Sequence, residues 1–428
     1  MKEIVVEVVD TIMGSGKTTE CFKWIDRNPT EKYIYVSPML SEVGKEGRIH
    51  TSVLGVEFVS PDTEYTDFKT KTEHLTKLLD GGSNIACTHN LYLNMTKEHF
   101  SLMEKHQYVV LLDEEIEVIK TYGVYSSSDI QYLIDKQEII VNDKDGAITW
   151  IGDNKTVEDY NHKYNKLKNL CDKHSIYLNN GVSAKKNILI SHIPLKLLEC
   201  AKRVIVITYM FKGSVLDCFL KIKGIKTVVC KDIVPTKNLK PSDFKDLITL
   251  VPPNKKTKTL SMNYSWWNSL TKDDIKSVNS IANLISNTAA QYEVDACDVM
   301  WTCPKANAQG VTKETKVKLN PKGFVRYVDE DGVKQSCWLS VHTRATNEYA
   351  NKKMVAHCYN RFPLQPIKMY LDCCGVPIDA PRYALSSLLQ FTWRSQIRNN
   401  LPIVLLIANE RMFGFFTAWL NGEFTENE

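Results

Sequence analysis

The segment Asp10-Thr-Ile-Met-Gly-Ser-Gly-Lys-Thr-Thr19 lies between the apolar run Ile4–Val9 and a helix-like pattern, and it leaves this chain few ways to fold. Strand, tight loop and helix follow one another in the order that a phosphate-binding loop needs. Gly14 and Gly16 allow successive backbone N–H groups to turn toward a β-phosphate, with Ser15 between them. Lys17 has the reach for β- and γ-phosphates, and Thr18 can offer a hydroxyl to Mg²⁺, with Thr19 in the same first turn. All six residues gather at a helix N-terminus, whose partial positive charge favours anions. The expected ligand is a nucleoside triphosphate, taken here as ATP.

A second element has the chemistry to complement the first. Val109-Val-Leu-Leu-Asp-Glu-Glu115 is an apolar strand ending in acids. In a phosphoryl-transfer site the first carboxylate holds the metal shell and the next orients the attacking water. Asp113 is therefore the expected Mg²⁺ ligand and Glu114 the expected base. Glu115 is expected to support the N-terminus of a following helix.

The 428 residues suffice for two or three compact domains, and 43% hydrophobic with 24% charged residues is ordinary for a globular protein. No apolar run reaches the length of a membrane span, and the first residues lack the layout of a signal peptide, so no membrane association is expected and a cytoplasmic location is. The twelve cysteines include no C-x-x-C pair and mostly lie in apolar stretches, which reads as buried free thiols rather than a zinc site. The net charge of +4 identifies no partner by itself. Between Lys221 and Lys258, however, ten lysines face only Asp232, Asp243 and Asp246, a local basic excess suited to a sugar-phosphate backbone or to a solvated linker.

The first half alternates apolar runs with helix-like segments, the pattern of a parallel sheet covered on both faces. Expected strands are Ile4–Val9, Tyr33–Ser37, Asn84–Thr88, Tyr108–Asp113 and Val204–Thr208. A polar stretch over about 126–186, with a turn at Asn142–Gly146 and a charged helix over Val157–His174, reads as an insertion. Prolines 235, 241, 252 and 253 mark a linker over 236–268. The alternation then resumes: helix Lys272–Gln291, strand Ala296–Thr302, a hairpin turning at Asp329–Gly332, strand Cys337–Val341, helix Ala384–Arg398, strand Ile403–Ala408 and helix Arg411–Leu420. The expected division is 1–235, the linker and 269–428. On the helix Ala384–Arg398, Gln390, Arg394 and Arg398 fall at every fourth position and share one face. Leu385, Leu389, Trp393 and Ile397 form a parallel apolar stripe, which would aim the arginines outward to stabilise charge on a γ-phosphate.

Taken together, the phosphate loop, the Asp-Glu box and the C-terminal Gln-x-x-x-Arg resemble the motifs of superfamily 2 helicases, and in particular the DEAD/DEAH-like replication helicases encoded by tailed bacteriophages. The resemblance is dense in islands. Tyr35–Val43, with Pro38, is similar to motif Ia, and Ala86–Asn90, with Thr88 and His89, to the element after it. Ile207–Phe211, with Thr208, stands where motif III couples ATP to nucleic acid. Thr343–Tyr349 and Asn360–Phe362 are similar to the motif V region. The resemblance implies two RecA-like α/β domains with an insertion in the first, ATP and Mg²⁺ as ligands, and nucleic acid as partner, DNA ahead of RNA, alongside phage replication proteins. It also implies that Pro38, Thr88, His89, Thr343, Arg344, Thr346 and Asn347 meet nucleic acid, that Thr208 couples the two events, and that Gln390 with Arg394 or Arg398 completes catalysis in the host cytoplasm. The sequence departs from the family at Thr11, where a glycine is usual, at Trp393, which replaces another glycine, and in the second arginine, displaced by one residue.

Other classes share parts of this signature. A viral DNA-packaging motor also joins a phosphate loop to an Asp-Glu box, but would normally append a carboxylate-rich nuclease domain. A small-molecule kinase would need a lid and no second α/β domain. A nucleic-acid-binding protein with vestigial ATPase motifs would keep the same residues without turnover.

Overall fold

The computed structural model describes residues 4–64, 68–143, 146–152, 162–173, 175–179, 187–309, 317–341 and 348–424. The chain divides into two units, one of residues 1–10, 17–234 and 363–379, the other of 11–16, 235–362 and 380–428.

Valine, isoleucine and tyrosine, whose branched or flat side chains suit a pleated surface, dominate the strands of the first sheet. They are β1 (Val5–Asp10), β2 (Tyr33–Ser37), β3 (Phe58–Val59), β4 (Asn84–Thr88) and β5 (Val109–Asp113). The chain then leaves this sheet to build an antiparallel one from β6 (Ile119–Tyr125), β7 (Ile139–Val141), β8 (Ala147–Trp150), β9 (Ser175–Asn179) and β10 (Asn187–His192), in the order β6-β10-β9-β8-β7. It returns as β11 (Arg203–Thr208) and β12 (Lys226–Val229), giving a seven-stranded sheet in the order β12-β1-β11-β5-β2-β4-β3. Every pairing in that sheet is parallel. β2 is buried at all five positions, as a strand covered on both faces must be. The helix Lys17–Arg27 supplies one cover, burying Cys21, Phe22, Trp24 and Ile25 among Tyr33, Tyr35, Leu111 and Ile207.

The antiparallel sheet carries its own core of Tyr125, Ile130, Leu133, Ile139, Ile148, Leu167, Ile176 and Leu189. Its β7–β8 hairpin turns where Gly146 takes φ 72°. The charged helix runs over His162–Lys173; the residues before it and His174 lie outside the described residues. Glu115 precedes no helix: residues 115–118 have no regular structure before β6, and Ile116 and Val118 are buried.

In the second unit β13 (Ile248–Val251), β14 (Val299–Thr302), β17 (Met354–His357) and β18 (Ile403–Ile407) form a parallel sheet in the order β13-β18-β17-β14. The hairpin of β15 (Arg326–Val328) and β16 (Lys334–Ser336) turns at Asp329, whose carboxylate accepts the Val333 N–H at 2.7 Å. Cys337–Val341 is not a strand but a single bridge, Trp301 to Trp338. The span 236–268, expected as a linker, holds a 3₁₀ helix over Pro241–Leu247, β13 and the helix Tyr264–Ser269. The expected α/β class, with two parallel sheets and an inserted antiparallel one, stands. The sequence pattern passed over β3, β6, β9, β10, β13, the fully buried β17 and the edge strand β12, every residue of which is exposed.

Candidate nucleotide site

Strand register decides which side chains meet at the carboxyl edge of the first sheet, where open α/β sheets bind ligands. Asp10 lies opposite Thr208, and Ile207 opposite Asp113, so three neighbouring strands end with Asp10, Thr208 and Asp113 side by side. Between β1 and the helix Lys17–Arg27, Gly14 and Gly16 adopt φ 81° and 87°, a region closed to most side chains. Two left-handed glycines are what a loop needs to present its N–H groups to a phosphate. Ser15 is buried with its hydroxyl 3.0 Å from that of Thr11, the residue that stands where glycine is usual. Thr18 and Thr19 occupy the first turn of the helix.

The charges at this edge are mutually dependent. Burial pulls the Lys17 ammonium down to about 8, while the carboxylates of Asp113, Asp10 and Glu114 pull the other way. Burial pushes Asp113 up to about 6, and Glu114 adds to the shift; the Tyr35 hydroxyl, bonded to Oδ2 at 2.8 Å, opposes it. Asp10 is engaged on both oxygens, accepting the Met210 N–H at 2.7 Å and the Phe211 N–H at 2.9 Å, so the turn after β11 is tied to the end of β1. Glu114 stands at φ 65°, unusual for a residue with a Cβ, and its N–H donates to the Ile207 carbonyl at 2.9 Å. Strained backbone of this kind collects at functional sites. Thr208 is buried at the end of β11.

These residues fit a nucleotide with a divalent cation. A triphosphate would add its negative charge beside the buried Lys17 ammonium, and a cation would relieve the pressure on Asp113. No group of three or more His, Cys, Asp and Glu side chains capable of holding a metal is present among the described residues. Mg²⁺ at a phosphate site needs none, since it takes one or two protein oxygens and keeps its waters.

Other expected site residues flank this edge or lie outside the described residues. Pro38 follows β2 and is half-buried, Thr88 caps the helix His89–Leu93 by accepting the Leu91 N–H, and His89 is buried with Nε2 2.9 Å from the Asp113 carbonyl oxygen. Thr343, Arg344, Thr346 and Asn347 lie outside the described residues. The ten-lysine run divides between the two units, and within them Lys221 pairs with Asp217 at 2.7 Å and Lys258 with Glu410 at 3.6 Å.

One expectation is corrected. Gln390, Arg394 and Arg398 do not share a helix face, because the helix Ala380–Thr392 ends before Arg394 and a 3₁₀ turn begins at Gln396. The Thr392 hydroxyl donates back to the Leu388 carbonyl and the Ser395 hydroxyl to that of Thr392, closing the helix. Arg394 does not face outward: it is 3% exposed and donates to the Ser340 and Val341 carbonyls at 3.3–3.4 Å. Arg398 is half-buried. Leu385, Leu389, Trp393 and Ile397 are buried as expected.

The sequence motifs gave no hint of Tyr35 as the partner of Asp113, of Asp10 as a backbone clamp, or of the left-handed Glu114. An acid at the last position of the loop-bearing strand was the available signal for Asp10.

The chain is 26% identical over 430 residues to the SPbeta prophage-derived uncharacterized protein YonV of Bacillus subtilis (strain 168), covering 98% of this chain and 99% of that one. The family profile of the YonV C-terminal Rossmann-like domain matches residues 242–420, and that of the YonV middle domain residues 119–190. The second match falls on the antiparallel sheet. Among solved structures, one described as XPD in apo form aligns at 12% identity and TM-score 0.47, covering 99% of this chain and 96% of that one. One described as XPD helicase aligns at 12% identity and TM-score 0.44, covering 99% and 95%.

Proposed function

We propose that this chain is an ATP-dependent nucleic-acid helicase or translocase that acts on DNA in bacteriophage replication. The reading rests above all on the buried Lys17 ammonium set among the carboxylates of Asp10, Asp113 and Glu114, directly after a loop with two left-handed glycines. Bound ATP with Mg²⁺ would supply the phosphoryl group transferred to water. The loop N–H groups from Gly14 to Thr19 and Lys17 bind and orient the triphosphate. Thr18 and Asp113 are the proposed oxygens for the cation, and Tyr35 holds Asp113 in place. The Glu114 carboxylate takes the proton from the attacking water. Arg398 is the proposed source of positive charge against the developing negative charge, with Arg394 and Gln390 shaping the turn that presents it.

Thr208 would couple this chemistry to movement, since its strand ends in a turn clamped by Asp10. Pro38, Thr88, His89, Thr343, Arg344, Thr346 and Asn347 are the proposed contacts to nucleic acid. The kinase reading fares worse, because a second parallel sheet has no part in it.

The deciding measurement is the rate of ATP hydrolysis alone and with single-stranded DNA, duplex DNA or RNA. Stimulation by a nucleic acid, strongest with DNA, is the expected result. Turnover indifferent to all three would overturn the helicase reading. Absence of turnover despite tight ATP binding would favour a vestigial ATPase.

A further inference from the structure

Among the described residues, two arginines of the second unit, one buried and one half-buried, form no ion pair with a carboxylate. Arg361, only 8% exposed, follows β17, and the half-buried Arg411 follows β18. Those strands are adjacent, so both residues stand at the carboxyl edge of the second sheet. Arg361 donates from Nη2 to the Tyr383 hydroxyl at 3.1 Å, and its guanidinium lies 5.0 Å from the Tyr359 ring and 5.7 Å from that of Tyr383. Its Nε is buried without a partner. Arg411 donates from Nη1 to Asn360 Oδ1 at 2.8 Å and to the Arg361 carbonyl at 3.0 Å. It is packed between the rings of Phe362 at 4.1 Å and Phe415 at 4.6 Å. Burial lowers its affinity for a proton. The adjacent Glu410 is occupied by Lys258.

Desolvating a cation without a counter-charge is costly, and a bound anion would offset that cost. The same edge presents two large rings to solvent: Phe362 is 45% exposed and Tyr264 61%. The Tyr264 segment is fixed here by the bond from the Asn360 N–H to the Met262 carbonyl at 2.9 Å and from Asn360 Nδ2 to the Ser261 carbonyl at 3.0 Å. Guanidinium groups beside open aromatic faces suit a strand whose phosphates are held and whose bases are unstacked. A duplex satisfies only half of this, because its bases are already stacked on one another.

We propose that Arg361 and Arg411 hold a backbone phosphate of single-stranded nucleic acid while Phe362 and Tyr264 receive its bases. This deepens the nucleic-acid reading above, and does not depend on turnover at Lys17.

The test is fluorescence anisotropy of the full chain with a labelled thymidine oligonucleotide and with a duplex of equal length, over a salt series and without nucleotide. Wild type is expected to prefer the single strand. Phe362→Ala and Tyr264→Ala should each weaken that binding by about 5- to 100-fold, with the thermal midpoint kept within a few degrees. Arg411→Gln should lower the slope of log affinity against log salt by roughly 0.7, the value for one single-strand phosphate. Lys17→Ala should bind the oligonucleotide as wild type does. Equal losses for the duplex, wild-type binding by both ring variants, or displacement of the oligonucleotide by thymidine monophosphate at equal concentration would overturn the assignment. So would a wild-type protein that hydrolyses ATP yet binds no single strand, a result that leaves the ATPase reading intact.

Discussion

The Tyr35 hydroxyl donates a 2.8 Å hydrogen bond to Asp113 Oδ2, joining the middle of β2 to the last residue of β5. It is one of the few interactions at this edge that favour the charged form of Asp113, whose proton affinity is raised to about 6 by burial and by Glu114. Tyr35→Phe should raise that affinity further and weaken the proposed metal site by about 10- to 100-fold, the usual penalty for losing such a support. ATP hydrolysis titrated with Mg²⁺ at pH 7 should show a higher half-saturation with little change at the plateau. In wild type, activity should fall as pH drops through about 6, because a protonated Asp113 would no longer hold the proposed cation. An unchanged Mg²⁺ requirement in the phenylalanine variant would mean that the tyrosine only fills space.

Lys17 leads to a prediction about protons. With its affinity lowered from 10.5 to about 8, it is partly neutral in the nucleotide-free protein at pH 8.5, while phosphate favours the ammonium. Binding of a non-hydrolysable ATP analogue at that pH should take up a fraction of a proton, measured by calorimetry in two buffers of different ionisation heat. The same shift costs the nucleotide-free fold stability below pH 8. That cost shrinks as pH rises from 8 toward 10.5, and is gone above it. Lys17→Ala should abolish both the uptake and most of the affinity. Identical apparent heats in the two buffers would count against Lys17 as the phosphate partner.

Glu114 combines strain with proposed chemistry. Its left-handed backbone at φ 65° would cost a glycine nothing, so Glu114→Gly should raise the unfolding free energy by about 1 kcal/mol while eliminating turnover. Glu114→Gln keeps the backbone and removes the base, and should bind ATP normally without hydrolysing it. Chemical denaturation checks the first variant and single-turnover hydrolysis the second. A glutamine variant at wild-type rate removes Glu114 from catalysis.

The two C-terminal arginines should fail differently. Arg394 is buried against the Ser340 and Val341 carbonyls, so Arg394→Ala should destabilise the protein by about 2–3 kcal/mol. Arg398→Ala should unfold like wild type but lower kcat by on the order of 10³ with nucleotide affinity nearly kept, if its charge acts on the transition state. A normal kcat for Arg398→Ala, measured with saturating DNA, withdraws that role.

Much of this was legible in the sequence where one residue type had one physical task. Apolar runs of five or six residues bounded by polar ones became β1, β2, β4, β5 and β11, and the glycines before Lys17 became left-handed. The four-residue spacing of Gln390, Arg394 and Arg398 misled because periodicity describes a helix only while the helix lasts, and this one closes at Thr392 through side-chain bonds that spacing does not encode. Tyr35 reads as one more aromatic in a buried strand until β5 is laid beside it. Arg361 and Arg411 are fifty residues apart and come together only because β17 and β18 are neighbours.

The order in which the first sheet is filled has a consequence for synthesis. β11 lies between β1 and β5, yet it is made after both and after the whole antiparallel insertion. At roughly 5–20 residues per second, the ribosome needs on the order of ten to forty seconds after β1 emerges before β11 is available. During that interval β1 lacks both of its neighbours, and the acid and lysine ends of the nucleotide site cannot be brought into register. The nascent chain therefore carries an open gap between two apolar strands until the last core strand slides home.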